Sequence, residues 1–501
     1  MSSREKISHV DTAWLRMDRP ENLMQILGVM IFAGRIDAER FRRTVARRML
    51  RYRRFQQIAL QGADGAWWID DSDFDIDAHV RHSCLPAPSG KNELQKFVAE
   101  MASTPLNPSR PRWEFNIVDL ADSRSALVVR IHHAIADGIA LIGVIDSLTD
   151  AAASAPEDGE RRGGGAERHA SRDEHDRPGN DDDAFWRVIL EPLSEVALAS
   201  IRVGGHLWAQ YLGLRNDPAS VRSYARVASA IASEIGKLAL MDDDSRTRLK
   251  GKAGTVKRVA WSEPVQLAEI KVVGKVLGCS LNDTLLASIA GALRSYLVEC
   301  GDDVDGVDIR AMVPVNLRGP DDVGELGNRF GLVALELPVG IENPLARLYE
   351  TRARMAELKG SYQAMLTFSL LGFAGMAPKL VEDQILSLLT SKTTAVMTNV
   401  PGPQQPRYFA GSLIEQEMVW VPQAGDIGMG VSILSYNGRV QFGLITDRNR
   451  VDDPERIVSR FAAEFEKLLW LVLLEPSDRL ANPEVVEGDL IRLAVQPGAS
   501  R

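Results

Sequence analysis

The chain is poor in cysteine. Its three, Cys84, Cys279 and Cys300, lie far apart and form no CxxC pair. That argues against a disulfide framework and a cysteine zinc site, and it fits a reducing cytosol. Long apolar runs are missing too. Nothing reaches the roughly 18 uninterrupted apolar residues of a membrane span. The stretch 196–214 is broken by Arg202 and His206, and 364–378 and 468–474 are too short. The opening "MSSREKISHVDTAWLRMDRP" lacks the apolar segment of a secretory signal. A soluble chain, or one that sits on a membrane without crossing it, is expected. Positive charge is not in excess: the net charge is −9 and the pI about 5.6. Nucleic acid is therefore not an expected partner. Histidine is also scarce, with eight in the chain.

What is present is globular. Of 501 residues, 45% are hydrophobic and 25% charged. This length favours two or more domains and a core able to hide a deep site. Residues 26–33 ("ILGVMIFA") read as a buried strand. The next segment, "DAERFRRTVARRMLRYRRFQQ", reads as one amphipathic helix with Phe41, Val45, Met49 and Tyr52 on its apolar face. "SALVVRI" is a second strand and "GIALIGVIDSLTDAAA" has helical spacing, so 1–153 forms one α/β unit.

Residues 154–184 look like a charged, disordered linker. Positions 154–183 hold ten acidic and five basic residues, three consecutive glycines and no aromatic, too little apolar surface to offset ordering entropy. His169 and His175 fall there. Residues 185–250 read as a helical connector, 251–475 as a second α/β unit and 476–501 as a polar tail. In the second unit, "SLNDTLLASIAGALRSYL" is a helix with Leu281, Leu285, Ile289, Leu293 and Leu297 at i+4 and a Ser280/Asp283 capping box. "GVSILSYNGRVQFGLITD" is a hairpin turned at Asn437-Gly438.

One stretch points to chemistry. "RIHHAIADGIAL", residues 130–141, places His132 and His133 at a strand end, with Asp137 and Gly138 where the next helix begins. Successive strand side chains face opposite ways, so one histidine should face a cleft and the other brace the structure. Gly138 would allow a tight turn. A neutral imidazole can take a proton from an alcohol at neutral pH. Direct acyl transfer onto a thioester carbonyl needs no metal, serine or cysteine, only such a base and donors for the oxyanion. Plainer readings stand beside it. A core histidine is usually structural, a His-His pair can bind metal although no HExxH partner is seen, and Asp137 can be just a helix N-cap.

"HHAIADG" resembles the HHxxxDG signature of the coenzyme A-dependent acyltransferase superfamily, which includes chloramphenicol acetyltransferase and nonribosomal condensation domains. Further stretches are similar to the bacterial wax ester synthase/diacylglycerol acyltransferase family along almost the whole chain. They are "ISHVDTAWLRMDRPENLMQI", "FDIDAHVRH", "PLNPSRPRWEF", "SLNDTLLASIAGALRSYL", "VPVNLR", "GELGNRFG" and "TNVPGP". The resemblance implies an α/β fold of two chloramphenicol-acetyltransferase-like subdomains around a central tunnel, joined by a helical linker region. It implies transfer of a fatty acyl group from acyl-coenzyme A to a fatty alcohol or diacylglycerol, with no cofactor and no metal. His133 would be the general base, His132 a support, and Asp137 structural, paired with Arg318 or Arg329. Asn282 and Asp283 match the family's Asn-Asp motif, though Asp283 also reads as a cap. Asn399 could reach the cleft or simply begin a proline turn, the plainer reading. Pro111 and Trp113 match a Pro-Leu-Trp motif whose middle residue here is Arg112. A buried, unpaired charge is costly, so Arg112 should be exposed or meet an acidic group such as a substrate phosphate.

Two stretches bear on partners. Residues 245–258 are basic with no acid and could meet coenzyme A phosphates or anionic headgroups, or be a solvated loop. "AMLTFSLLGFAGMA" could line an acyl tunnel, dip into a membrane interface or be a core helix. The expected setting is cytoplasmic, peripheral to the inner membrane or lipid droplets. Three alternatives remain: a condensation-type enzyme using carrier-bound acyl donors or another hydroxyl acceptor, a non-catalytic lipid-binding or droplet protein, and a metal-dependent hydrolase.

Overall fold

The computed structural model describes residues 4–62, 65–154, 243–317, 326–359, 367–368, 370–372, 379–476 and 480–486. The charged linker, nearly all of the helical connector, Arg318, most of 364–378 and most of the tail lie outside the described residues.

The N-terminal part runs β1 (Glu5–Lys6), α1 (His9–Met17), β2 (Gln25–Phe32), α2 (Ala38–Thr44), β3 (Gln57–Gly62), β4 (Gly65–Asp70), β5 (Val80–Cys84), α3 (Lys91–Ser103), β6 (Trp113–Asp119), β7 (Ser125–His132), α4 (Gly138–Leu148) and β8 (Thr149–Asp150). Helix α1 begins where the Ser8 hydroxyl accepts from the Asp11 N–H. Strands β2 and β7 are apolar on both faces because both faces are covered. Leu27, Val29 and Val128 pack towards α3, while Ile26, Met30, Leu127, Val129 and Ile131 pack towards Trp14 and Phe41.

The long helix expected after β2 is cut short. After α2, Val45–Met49 widens into a π-helical turn closed by Leu50 N–H to the Val45 carbonyl, 3.2 Å. Phe41, Val45 and Met49 are fully buried as their spacing implies, but Tyr52 lies beyond the helix. The chain must turn there to enter β3, and Gln56 ties the bend through its side-chain amide to the Leu50 carbonyl, 2.6 Å.

The C-terminal part runs β9 (Lys257–Trp261), β10 (Val265–Gln266), α5 (Leu267–Leu277), α6 (Leu281–Glu299), β11 (Ile309–Asn316), β12 (Phe330–Leu337), α7 (Pro344–Lys359), α8 (Lys379–Ser391), β13 (Ala395–Pro401), β14 (Tyr408–Phe409), β15 (Ser412–Trp420), β16 (Met429–Tyr436), β17 (Arg439–Asp447) and α9 (Glu455–Leu474). Helix α6 has the expected Ser280/Asp283 capping box. The β16–β17 hairpin turns at Asn437 (φ 48°) and Gly438 (φ 72°), the two positive φ values a type I′ turn requires. No single described helix is long and apolar enough to cross a membrane. Helices α5 and α6 pass together by length and composition, but they are bent by 101° and α6 lies largely in the core.

Two seven-stranded sheets result. One has the order β5-β6-β7-β2-β15-β14-β8; the other is β10-β17-β16-β13-β11-β12, with β9 beside β17. A small sheet, β1-β4-β3, packs through Ala59, Ala66 and Trp68 on the N-terminal core. The sequence boundary that placed all of 251–475 in the second unit does not follow the sheets. Residues 408–420 cross over: β15 pairs antiparallel with β2, and β14 with β8. Strand β15 buries Ile414, Met418 and Trp420, and no local signal says which sheet it will extend. Trp420 from this crossing strand packs on Trp261 of β9, ring centroids 6.2 Å apart, so one core cluster belongs to both halves.

Candidate active site

His132 ends β7, opposite Gln25 of β2. The chain then leaves the sheet, and Asp137 caps α4. Both histidines are buried, and they diverge as the strand alternation requires. His132 is braced. Its Nδ1 accepts from the Ala134 N–H at 3.1 Å, so the ring proton sits on Nε2, which faces Asp18 Oδ2 at 3.4 Å. Burial lowers the His132 pKa and keeps the ring neutral, against the pull of Asp18.

Arg112 joins the same group. Its guanidinium lies 3.3 Å from Asp18 Oδ2 and 3.4 Å from His132 Nε2. Of the two expectations for Arg112 the second holds: the side chain is only 15% exposed and meets an acidic group, which is the Asp18 carboxylate of this chain and not a substrate phosphate. Asp18 also accepts from the Met24 N–H at 3.0 Å. Burial alone would raise the Asp18 pKa, but His132, Met24 and Arg112 together hold it below the ordinary carboxylate value. Such a depressed acid contributes stability above its unfolded pKa, and that stability is lost as pH falls through the folded value. Arg112→Leu removes one depressing charge. Its stability at neutral pH is therefore expected to fall, and its acid unfolding transition to lie at higher pH than wild type, both read by circular dichroism. An unshifted transition would show that Arg112 does nothing for Asp18.

His133 faces the other way. Its ring stacks on Trp14, centroids 4.2 Å apart and planes 20° apart, with Phe330 at 5.5 Å. Its backbone is fixed at both ends: the N–H donates to the Met24 carbonyl at 2.7 Å, and the carbonyl accepts from Asn328 Nδ2 at 2.8 Å. The same Asn328 amide donates to Asp11 Oδ1 at 2.7 Å. Burial pushes the His133 pKa down to about 4, opposed chiefly by the charge of Asp137.

Asp137 is a brace between halves. One carboxylate oxygen accepts from the Ala140 N–H and the other from the backbone N–H of Arg329, each at 2.9 Å. The expected arginine thus reaches Asp137 through its main chain. Gly138 is the first residue of α4. Its φ is not positive, and a Cβ there would meet nothing within 4 Å, so no tight turn demands glycine at this point.

Asp283 is a cap, its carboxylate accepting from the Ser280 N–H at 2.8 Å. Asn282 does more: its side-chain oxygen accepts from Asn399 Nδ2. Asn399 lies within β13 and not in the proline turn, because Val400 and Pro401 continue the strand beside β16. This pair joins α6 to β13, and among the described residues no hydrogen bond connects it to His133. Trp113 stands one strand from the histidines, opposite Ile131. It stacks on His79 and donates to the Phe55 carbonyl at 2.8 Å. Pro111, buried just before it, accepts from the Trp113 N–H. Both support β7 and do not reach the His133 ring.

The basic run 245–258 is mostly neutralised by acids of the same chain: Arg248 pairs with Asp302 at 2.6 Å, Lys257 with Asp447 at 3.3 Å and Arg258 with Asp452 at 2.8 Å. The coenzyme A reading of that run does not fit these pairs. Sequence reasoning missed Asp11, Trp14, Asp18, Asn328 and Phe330. All five lie in stretches quoted for the resemblance, but no spacing ties them to the histidines.

The chain is similar to known proteins along most of its length. Residues 7–285 match the wax ester synthase/diacylglycerol acyltransferase catalytic domain, and residues 326–469 match the WS/DGAT C-terminal domain. A Mycobacterium tuberculosis protein named probable diacylglycerol O-acyltransferase tgs1 is 29% identical over 429 residues, 84% of this chain and 86% of its own. The solved wax ester synthase/diacylglycerol acyltransferase from Marinobacter aquaeolei VT8 superposes with a TM-score of 0.64 at 21% identity, covering 94% of this chain and all of that one. The first condensation domain of the calcium-dependent antibiotic synthetase superposes at 0.56 with 12% identity, covering 96% and 97%. These two likenesses speak to the fold.

Proposed function

The chain belongs to the wax ester synthase/diacylglycerol acyltransferase family and is an acyltransferase; from there we propose that it moves a fatty acyl group from acyl-coenzyme A to the hydroxyl of a fatty alcohol or diacylglycerol, with His133 as general base. The observation that carries this reading is the placement of His133, a neutral buried imidazole locked by Met24 and Asn328 where the two halves meet.

In this reading the His133 proton sits on Nδ1, beside the residue's own carbonyl, leaving the Nε2 lone pair for substrate. Nε2 takes the acceptor's hydroxyl proton as its oxygen attacks the thioester carbonyl. The tetrahedral intermediate collapses, the C–S bond breaks, and the imidazolium returns the proton to the leaving thiolate. Ester and free coenzyme A leave, and the enzyme is unchanged. His132, Asp18 and Arg112 hold the turn that presents His133, Asp137 holds α4 against the 327–329 segment, and Asn282 with Asn399 holds α6 against β13.

A tunnel between the halves would admit acyl-coenzyme A at one mouth and the acceptor at the other. We also infer a cytoplasmic protein lying peripherally on a membrane or lipid droplet. Its support is the exposed apolar end of α9, where Trp470, Leu473 and Leu474 face outward.

The test is ester formation from radiolabelled palmitoyl-coenzyme A, with hexadecanol and dipalmitoylglycerol in separate reactions. Ester in either is expected, and the faster acceptor identifies the physiological class. No ester in either, with a well-folded protein, overturns the acceptor assignment.

A further inference from the structure

A base that must become a cation in a buried site needs something to favour the charged form. The acids near His133 each hold another group. Asp18 faces His132, Asp137 accepts from Ala140 and Arg329, and Asp11 accepts from Asn328. Of the charges around the ring, Asp137 favours imidazolium and His132 disfavours it, and burial outweighs both.

The flat of the ring is covered by an indole. Trp14 lies 4.2 Å from His133, centroid to centroid, with the planes 20° apart. An indole face carries negative electrostatic potential and attracts a cation above it, most strongly when water is excluded. A neutral imidazole gains little of this. The contact therefore strengthens as the proton arrives, the condition for lowering a barrier rather than tightening ground-state binding. Nor is the stack incidental. Trp14 is buried on α1, Asp11 of the same helix holds Asn328, and Asn328 holds the His133 carbonyl. One hydrogen-bonded chain therefore fixes indole and imidazole together.

We propose that the Trp14 face stabilises the imidazolium of His133 by a cation–π contact during proton transfer, so that Trp14 is a positioning residue acting through the base. This rests on His133 being that base.

Fluorinated tryptophans test it, because fluorine drains the ring face while barely changing its volume. Mono-, di- and trifluorotryptophan are placed at position 14 alone by site-specific incorporation, leaving the other eight tryptophans untouched. The expected result is a stepwise fall in kcat, reaching about 10-fold to 30-fold, with KM for palmitoyl-coenzyme A unchanged. Trp14→Phe should retain part of the rate and Trp14→Leu less. A flat kcat across the fluorine series overturns the proposal. His133→Ala is assayed alongside. If it is inactive while the series is flat, only the role of Trp14 falls; if it stays active, the base assignment falls and this proposal with it.

Discussion

Replacing His133 with alanine is expected to lower kcat by about 10²-fold to 10⁴-fold, the range for a positioned general base, while the protein stays folded. The ring makes no hydrogen bond that the backbone depends on: both bonds fixing this residue come from its main chain, to Met24 and from Asn328. Far-ultraviolet circular dichroism should therefore match wild type. The pH dependence carries the same assignment. Only neutral imidazole accepts a proton, and burial places the pKa at about 4, below the ordinary histidine value. The acid limb of kcat/KM should accordingly lie well below pH 6.5, with the rate level through neutrality. Single-turnover ester formation between pH 4 and 8 measures both. A variant that keeps its rate, or an acid limb near pH 6.5 in wild type, would sink the assignment.

The second large effect concerns stability. Lys257 and Asp447 are buried at 4% and 0% exposure, 3.3 Å apart. Asp447 also accepts from the Gly254 N–H at 2.5 Å, and Lys257 donates to Asn22 Oδ1 at 2.8 Å. Asn22 lies between α1 and β2, so the ammonium joins the N-terminal part to β9 and β17. Lys257→Met leaves the Asp447 carboxylate buried without its cation, which costs about 3–5 kcal/mol. The urea unfolding midpoint should drop accordingly, with KM for palmitoyl-coenzyme A unchanged. Were KM to rise with the midpoint unmoved, this lysine would belong to the substrate and not to the fold.

That outcome bears on how far residue order can be read. Local features were legible because their causes are local. The apolar runs became β2 and β7, the Ser280/Asp283 box opened α6, and Asn437-Gly438 turned the β16–β17 hairpin. Each needs only a few neighbouring residues and a period of 2 or 3.6. The helix through Tyr52 failed for a reason outside its window, since the chain had to turn into β3. Site residues divided the same way. His132, His133 and Asp137 were visible because six positions hold them. Arg112 was legible as an anomaly, yet its partner Asp18 lies 94 positions away.

The sequence by itself determined that this is an α/β chain, that a histidine pair stands where a strand gives way to a helix, and, through motifs in order along the chain, its family. Tertiary structure decided which acid, amide and aromatic ring surround each histidine. It took 408–420 into the other sheet and brought Asn328 from 195 positions away onto the His133 carbonyl. Side-chain periodicity records only which face of an element is buried. What that face meets depends on sheet order and crossover, and those depend on the packing of the whole chain.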